Sequence, residues 1–407
     1  MRITTNLIYD QNLRAINNSQ GQLSDIQTQL ASGKRILRPS DDPVGSVQVI
    51  RITEEIDKIE QYKRNIDLAV NNLELQDTTL QSMNTIVNRA RVLTVQSGNG
   101  IVSTEDRKAI AAEISQIRNQ VIDLMNSQNA AGEYIFAGYQ SSKQAFEFDP
   151  ADASNPIRFV GDDGTNAIQL SDSVSIQTTT SGKTLFEDVR ARLDINVTGS
   201  AGLTFNSYQM QSQDDFDLFH TANFDAGVPA NNAFQLEILP GNQVQITNLG
   251  TGAVVDTRSY QTNEPVVIAG MEFDIQGVPG DTLNFDLARP EKTNLAETLH
   301  KFSVALNNNT ITDGEFQRAI SDALVGLDNG LNKMARENSS VGARLNIAES
   351  VRGSLLDAGV ANERARGAIQ DVDYAKASSD FAKQETALDA AFASFPRIAN
   401  LSLFNYL

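Results

Sequence analysis

Apolar residues recur every seven positions along the first arm of this chain: Ile52, Ile59, Ile66, Leu73, Leu80 and Val87, with Ile56, Val70 and Met83 filling offset positions of the same stripe. That period is the signature of a helix whose narrow seam meets another helix. It predicts one long helix from about residue 44 to 96. A second stripe, Ile110, Ile114, Ile117, Val121 and Leu124, steps by four and three behind Ser103-Thr-Glu-Asp106, which has the layout of a capping box. Near the other end Ile320, Leu327, Met334, Val341, Ala348 and Leu355 repeat the heptad, with Leu324, Leu331 and Leu345 as companions and Thr312-Asp-Gly-Glu315 as the cap. A narrow stripe buries little by itself, so the two arms are expected to lie side by side as a coiled-coil bundle.

Between the arms the period changes from seven to two. Phe234-Gln-Leu-Glu-Ile-Leu239, Val244-Gln-Ile-Thr247 and Met271-Glu-Phe-Asp-Ile-Gln276 alternate between glycine and proline breaks, which predicts antiparallel strands. Residues 150–289 hold 6 of the 10 prolines, whereas none falls in 44–149 or 291–395, where helices must run unbroken. The chain therefore reads as α + β and multidomain: long N- and C-terminal helices packed as a coiled-coil bundle, with an inserted antiparallel β domain. The expected boundaries are 1–40 with 371–407 for a terminal helical assembly domain, 41–149 with 290–370 for the long-helix domain, and 150–289 for the insert. A small-residue stretch, Val197-Thr-Gly-Ser-Ala-Gly202, marks a subdivision of the insert near 200.

The two ends are amphipathic with little to pack on. Leu13, Ile16, Leu23, Ile26 and Leu30 line one helical face, and Phe381, Leu388, Phe392, Phe395, Leu401, Leu403 and Phe404 make an aromatic-rich stripe broken by Pro396. Such ends either close the protein's own core or meet neighbouring subunits. The second reading assigns Leu13, Ile16, Leu23, Leu30, Leu388, Phe392, Phe395, Leu401, Leu403 and Phe404 to a subunit interface.

Charge and composition then exclude whole classes of function. The formal charge of -18 and the lack of any Lys/Arg run argue against nucleic acid and against anionic membrane surfaces. Residues 150–289 carry 18 acidic against 6 basic residues, so two-thirds of that charge sits in the insert. There is no cysteine, hence no disulfide and no thiolate chemistry. His220 and His300 are the two histidines, neither with a companion at metal-ligand spacing. Gly161-Asp-Asp-Gly164 reads as a β-turn, lacking the spaced ligands of a calcium loop, and Asp214-Asp-Phe-Asp217 as a solvated acidic loop. No nucleophile elbow, P-loop or dinucleotide fingerprint occurs, so the expectation is no catalysis, no cofactor and no metal. No stretch is apolar enough for a membrane span, and residues 1–20 hold no apolar core of a cleaved signal, so export would have to read something else.

Two motifs remain. In Arg38-Pro-Ser-Asp-Asp-Pro43, following Ala31-Ser-Gly-Lys-Arg35, Ser40 or Asp41 is placed to cap the next helix, with Asp42 supplying negative charge at its positive end and Pro43 suiting its first turn. Gly132-Glu-Tyr-Ile-Phe-Ala-Gly-Tyr139 gathers Tyr134, Phe136 and Tyr139 between glycines, a packing cluster at the exit from helix to strand around Ile135, Ala137 and Gly138. With the opening Met-Arg-Ile-Thr-Thr-Asn and the closing Ser402-Leu-Phe404, this combination resembles the flagellin-like axial proteins of bacterial flagella. The Pro-Ser-Asp-Asp-Pro form is similar to the hook-associated protein 3 branch of that family, and flagellin itself is the alternative. The resemblance implies an extracellular junction adaptor between hook-associated protein 1 and the flagellin filament, assembled as a ring of copies. It also implies export unfolded through the flagellar type III apparatus with a chaperone. A coiled-coil binding module unrelated to flagella would require every one of these matches to be accidental.

Overall fold

The computed structural model describes residues 5–99, 102–152, 156–261 and 264–399. The chain divides into two compact units, one of residues 1–67, 169–174 and 348–407 and one of 68–168 and 175–347. Seven helices are formed among the described residues: α1 (Thr5–Ser32), α2 (Pro43–Ser97), α3 (Thr104–Met125), α4 (Gln213–Asn223), α5 (Leu295–Asn307), α6 (Asp313–Gln370) and α7 (Tyr374–Ala399). The expected long helices are α2, of 55 residues, and α6, of 58.

Their seams lie where the heptads put them. In the first unit Ile59, Ile66 and Ala348 are buried. In the second, Leu73, Leu80, Met83 and Val87 of α2 are buried, as are Ile320, Leu327, Met334 and Val341 of α6. Ile110, Ile114, Ile117 and Val121 of α3 and Leu299, Phe302 and Leu306 of α5 complete that helical core. Both expected caps form. The Ser103 hydroxyl accepts from the Asp106 N–H at 3.1 Å, and at α6 the box is reciprocal: Glu315 N–H donates to the Thr312 hydroxyl at 3.3 Å while Thr312 N–H donates to the Glu315 carboxylate at 3.1 Å.

A polar layer interrupts the second unit's seam. Gln76 Nε2 donates to Thr180 Oγ1 (2.9 Å), Thr180 Oγ1 donates to Glu337 Oε1 (2.6 Å), and Arg344 lies 3.4 Å from the same carboxylate oxygen. Such a layer favours one register of the seam, since sliding the helices would strand these groups among leucines.

Two short hairpins, β1 (Phe146–Phe148) with β2 (Ile157–Phe159) and β3 (Ala167–Gln169) with β4 (Ser175–Gln177), accompany the helices, and β5 (Val189–Arg190) pairs antiparallel with the sequence-distant β14 (Lys292–Thr293). Phe146, Ile157, Leu185 and Phe186 belong to the core of α2, α3, α5 and α6. A separate core runs from Ile195 to Leu287. It lies between a five-stranded antiparallel sheet, in the order β10 (Val254–Ser259), β9 (Gln243–Asn248), β8 (Ala233–Leu239), β13 (Thr282–Leu287), β6 (Ile195–Ala201), and a three-stranded one, β11 (Val266–Ile268), β12 (Met271–Gln276), β7 (Thr204–Met210). Phe285 stands at its centre, with ring centroids 5.7 Å from Phe234 and 5.8 Å from Phe273. The alternation in 234–239, 244–247 and 271–276 is the inward side of this sandwich. Val197–Gly202 is the end of β6 and the turn into β7, with Gly202 at φ 77°.

The acidic stretch Asp214–Asp217 is not a loop. It is the first turn of α4, capped by Ser212, with Phe216, Phe219 and His220 buried on one face. Asp214 and Asp215 sit at the positive end of the helix, which is why acids tolerate this place.

Arg192 ties the sandwich to α6 within this second unit. Its side chain is 3% exposed and meets Asp194 and Asp322, each at 2.6 Å, while the Tyr208 hydroxyl donates to Asp194 at 3.2 Å.

His300 gives the second unit a pH dependence. Its Nδ1 accepts from Arg118 Nη1 at 2.9 Å, and Arg118 stacks over Phe148 at 4.5 Å. Burial first, then the Arg118 charge, hold the imidazole below its usual 6.5, against a smaller opposing pull from Glu297. The unfolded chain therefore binds a proton that the folded one refuses, and stability is full above about pH 6.5 and falls as the pH drops toward the folded value. Urea titrations at pH 7.5 and 5.5 should show the midpoint falling, with a smaller fall in His300→Gln. Equal falls in the two proteins would remove His300 from the account.

Candidate functional site

The terminal helices pair with each other. Gln384 of α7 donates through Nε2 to the Ser19 carbonyl (3.4 Å) and to Gln22 Oε1 (3.0 Å) of α1, and Val372 N–H donates to the Gly33 carbonyl (2.9 Å) just beyond it. Antiparallel packing follows. Ile16 and Leu388 are buried in this pair, at 7% and 9% exposure, so these two of the proposed interface residues pack within the subunit. Leu13, Leu23 and Leu30 are half-buried, as are Ile26 and Phe381, while Phe392 is 47% exposed and Leu7 54%. Two helices alone leave the outer part of each stripe in water, and this residue is what another chain would cover. Phe395 lies in the last turns of α7, its side chain outside the described residues, as are Leu401, Leu403 and Phe404 altogether.

The Arg38–Pro43 motif forms the joint between α1 and α2. Asp41 is not a cap: its Oδ2 accepts from the N–H groups of Leu37 (3.1 Å) and Arg38 (2.8 Å), folding the loop on itself. Ser40 is exposed and touches only Asp41 among the described residues. Asp42 caps α2 instead, its Oδ1 accepting from Gly45 N–H at 2.8 Å, with Pro43 as the first helical residue. Both carboxyls are held below the usual range, Asp41 chiefly by the Arg38 N–H and Asp42 chiefly by the Gly45 N–H and then Arg35. Arg38, Pro39 and Pro43 are exposed.

Arg35 was not singled out by sequence reasoning, yet it closes the joint onto the far end of the chain. Its guanidinium donates to the Ile369 carbonyl (2.8 Å) and to Asp42 (3.2 Å), and its N–H donates to the Gln370 carbonyl (2.7 Å). Gly45 is required here because a Cβ would lie 2.6 Å from Asp42 Oδ2 and 2.9 Å from Ile36 Cδ1.

The second motif is a strap over the helical core. Asn126, at the end of α3, accepts through Oδ1 from Ala145 and Phe146 N–H and donates to the Phe146 carbonyl, all at 2.9 Å. Ile135, Phe136, Ala137 and Gly138 are buried, and Phe136 meets Phe186 edge-on at 5.1 Å. Of the three aromatic residues, Phe136 anchors fully, Tyr134 is half-buried and Tyr139 is 68% exposed, so the cluster is less complete than expected. Gly138 has φ 73°, and a Cβ there would overlap Asp162. That aspartate accepts from Tyr139 N–H (2.8 Å) and Gly164 N–H (2.7 Å), which explains Gly161–Gly164 as a clasp on the strap.

Neither histidine is placed for catalysis. His220 is 1% exposed, its Nε2 donating to the Ala288 carbonyl at 2.8 Å and its ring stacked on Phe224, while His300 is held by Arg118 as above. Among the described residues no group of three or more His, Cys, Asp or Glu is placed to hold a metal, and no helix is long and apolar enough to cross a membrane.

Both motifs fall inside one family match. Residues 3–141 match the bacterial flagellin N-terminal helical region. Over 404 residues the chain is 24% identical to the flagellar hook-associated protein 3 of Escherichia coli, covering 99% of both chains. The chain is thus similar end to end to a flagellar hook-associated protein 3, and in its first third to the flagellin helical region. It is also 34% identical to the flagellar hook-associated protein 3 of Salmonella typhimurium over 147 residues, 36% of this chain and 46% of that one. Its fold is that of the hook-associated protein 3 crystal structure from Legionella pneumophila, with a TM-score of 0.58 at 21% identity, covering 78% of this chain and 98% of that one.

Proposed function

We propose that this chain is the adaptor at the hook–filament junction, seated on hook-associated protein 1 and presenting to flagellin a surface on which the filament grows. The observation that carries this is the end-to-end similarity to a hook-associated protein 3, in a chain whose terminal helices leave part of their apolar stripe uncovered. The terminal pair of 1–40 with 371–407 is the assembly domain of a ring of copies, 41–149 with 290–370 its long-helix domain and 150–289 its inserted β domain. Leu7, Leu13, Leu23, Leu30 and Phe392 meet neighbouring subunits, and ordering the ends is offset when stripes from two subunits meet. The subunit travels unfolded through the flagellar type III apparatus, with a chaperone beforehand, and works by binding rather than catalysis. The absence of cysteine suits a chain threaded unfolded through a channel. Deleting the gene tests this. Cells should carry bare hooks and lose flagellin monomer to the medium. Intact filaments would overturn the reading, and absent filaments without secreted flagellin would point to flagellin itself.

A further inference from the structure

Within the second unit the sandwich and the helices do not share a core. One cluster of buried residues runs through α2, α3, α5 and α6 and the other from Ile195 to Leu287, and among the described residues none belongs to both. The chain passes between them twice, at 191–194 and at 288–291. Strand pairing is regular on either side of this neck, Lys292↔Arg190 before it and Leu287↔Ile195 beyond it. Within the neck the ladder lapses. Two backbone bonds remain there among the described residues, Ala191 N–H to the Glu291 carbonyl (3.0 Å) and Ala288 N–H to the Asp194 carbonyl (2.9 Å). A two-stranded ribbon interrupted in this way is a place where small changes of backbone angle turn everything beyond it.

Two side-chain ties hold the sandwich against α6. Arg192, in the neck, bonds to the neighbouring Asp194 and across to Asp322 of α6, each at 2.6 Å. One turn earlier on α6 the Arg318 guanidinium lies 5.5 Å from the ring centroid of Tyr208, a β7 residue whose hydroxyl donates to Asp194 at 3.2 Å. Between the two bodies runs an open cleft of about 550 Å³, whose lining includes Arg192, Asp194, Lys292, Glu297, Lys301 and Asp322. Charged walls gain little by closing, because they give up water to do so. Closure therefore rests on the ties. The Asp322 side chain is 59% exposed, and an ion pair that reaches so far into water shifts an equilibrium by a factor of only about 1.5–5. Asp194 stays with Arg192 when Asp322 is let go, so the guanidinium keeps a counter-charge in both states. We propose that the sandwich is a hinged body, latched to α6 by Arg192–Asp322 and Arg318–Tyr208 and released as ionic strength rises. Two such ties make latched molecules outnumber released ones roughly tenfold at low salt.

The chain has no cysteine, so a pair of introduced ones carries spin labels without competition. Lys108 on α3 and Thr257 on β10 are both exposed. Because β10 is separated from β13 by β9 and β8, it lies ~14 Å across the sheet from the strand that leaves the neck, and a rotation there is magnified. Purified full-length Lys108→Cys/Thr257→Cys, diluted with unlabelled chain and read by pulsed dipolar EPR at about 0.1 M salt, should show one dominant distance and a second population of ~10%. Asp322→Asn with Arg318→Gln should raise the second population about fivefold. Salt at ~1 M, which shortens the screening length from ~10 Å to ~3 Å, should raise it in the parent without any further substitution. Lys301→Gln is the contrast, since its pair with Glu297 (2.9 Å) borders the same cleft but lies wholly on α5, and it should leave the distances as they were. Melting temperatures check that each variant is folded. A single distance altered neither by the folded double variant nor by salt would overturn the hinge, and an equal change in Lys301→Gln would overturn the latch. Distances within one subunit are read without filaments, so they stand or fall separately from the junction role.

Discussion

Replacing Phe392 by aspartate should stop filament growth while leaving the isolated chain folded. Phe392 is 47% exposed on α7, so the monomer loses little when its ring goes. An assembled subunit would lose the burial of that ring, ~1.5–3 kcal/mol for a fully covered phenylalanine. It would also have to bury a carboxylate with no designated partner, which costs several times more or forces the group to bind a proton. The penalty recurs at every subunit of a ring. Swimming in soft agar should fall to the level of the gene deletion, while the far-UV circular dichroism and melting temperature of the purified protein stay those of the parent. Leu388→Asp is the contrasting variant, because Leu388 is buried between the terminal helices at 9% exposure and its loss should unfold them in the monomer. Normal swimming by the Phe392 variant would remove this stripe from the interface.

Phe285→Ala should cost the sandwich about 3–5 kcal/mol, the range for truncating a fully buried phenylalanine. The side chain is 0% exposed and stands between Phe234 of β8 and Phe273 of β12, so its ring joins the two sheets. Collapse of the cavity is restricted because both neighbours are themselves held in strands that pair on two sides. Tyrosine emission can follow the loss under urea, since the protein has no tryptophan and Tyr208 and Tyr260 both lie in or against this core. Phe285→Leu should recover most of the stability. A loss below about 1 kcal/mol for the alanine variant would show that the sheets are not joined there.

The long helices were legible because a heptad repeat is a statement about one helix face and needs no knowledge of the partner. Ile59, Ile66, Leu73, Leu80 and Val87 are all buried where the period puts them. Caps were legible where one residue was available, as at Ser103 and Thr312, and misassigned where three adjacent residues competed. The deciding signal at the joint was Pro43: proline in the first helical position makes the residue before it the cap, which is Asp42. Helix α4 was hidden because its face of Phe216, Phe219 and His220 is brief and sits among glycine-punctuated strands, where aromatic residues read as β. The terminal stripes show a harder limit. Ile16 and Leu23 look alike in sequence, yet the first is buried against α7 and the second only half so, a difference made by a helix more than 300 residues away. Arg35 is the same case, its partners Ile369 and Gln370 being carbonyls that leave no mark in the sequence.

The proposed adaptor occupies a thin ring between hook and filament rather than the body of the filament. Immunogold labelling of intact flagella with an antibody against residues 195–287, followed by electron microscopy, tests it directly. One band of label at the end of the hook is the predicted result. Label along the whole filament would overturn the junction role and make this chain the filament's own subunit.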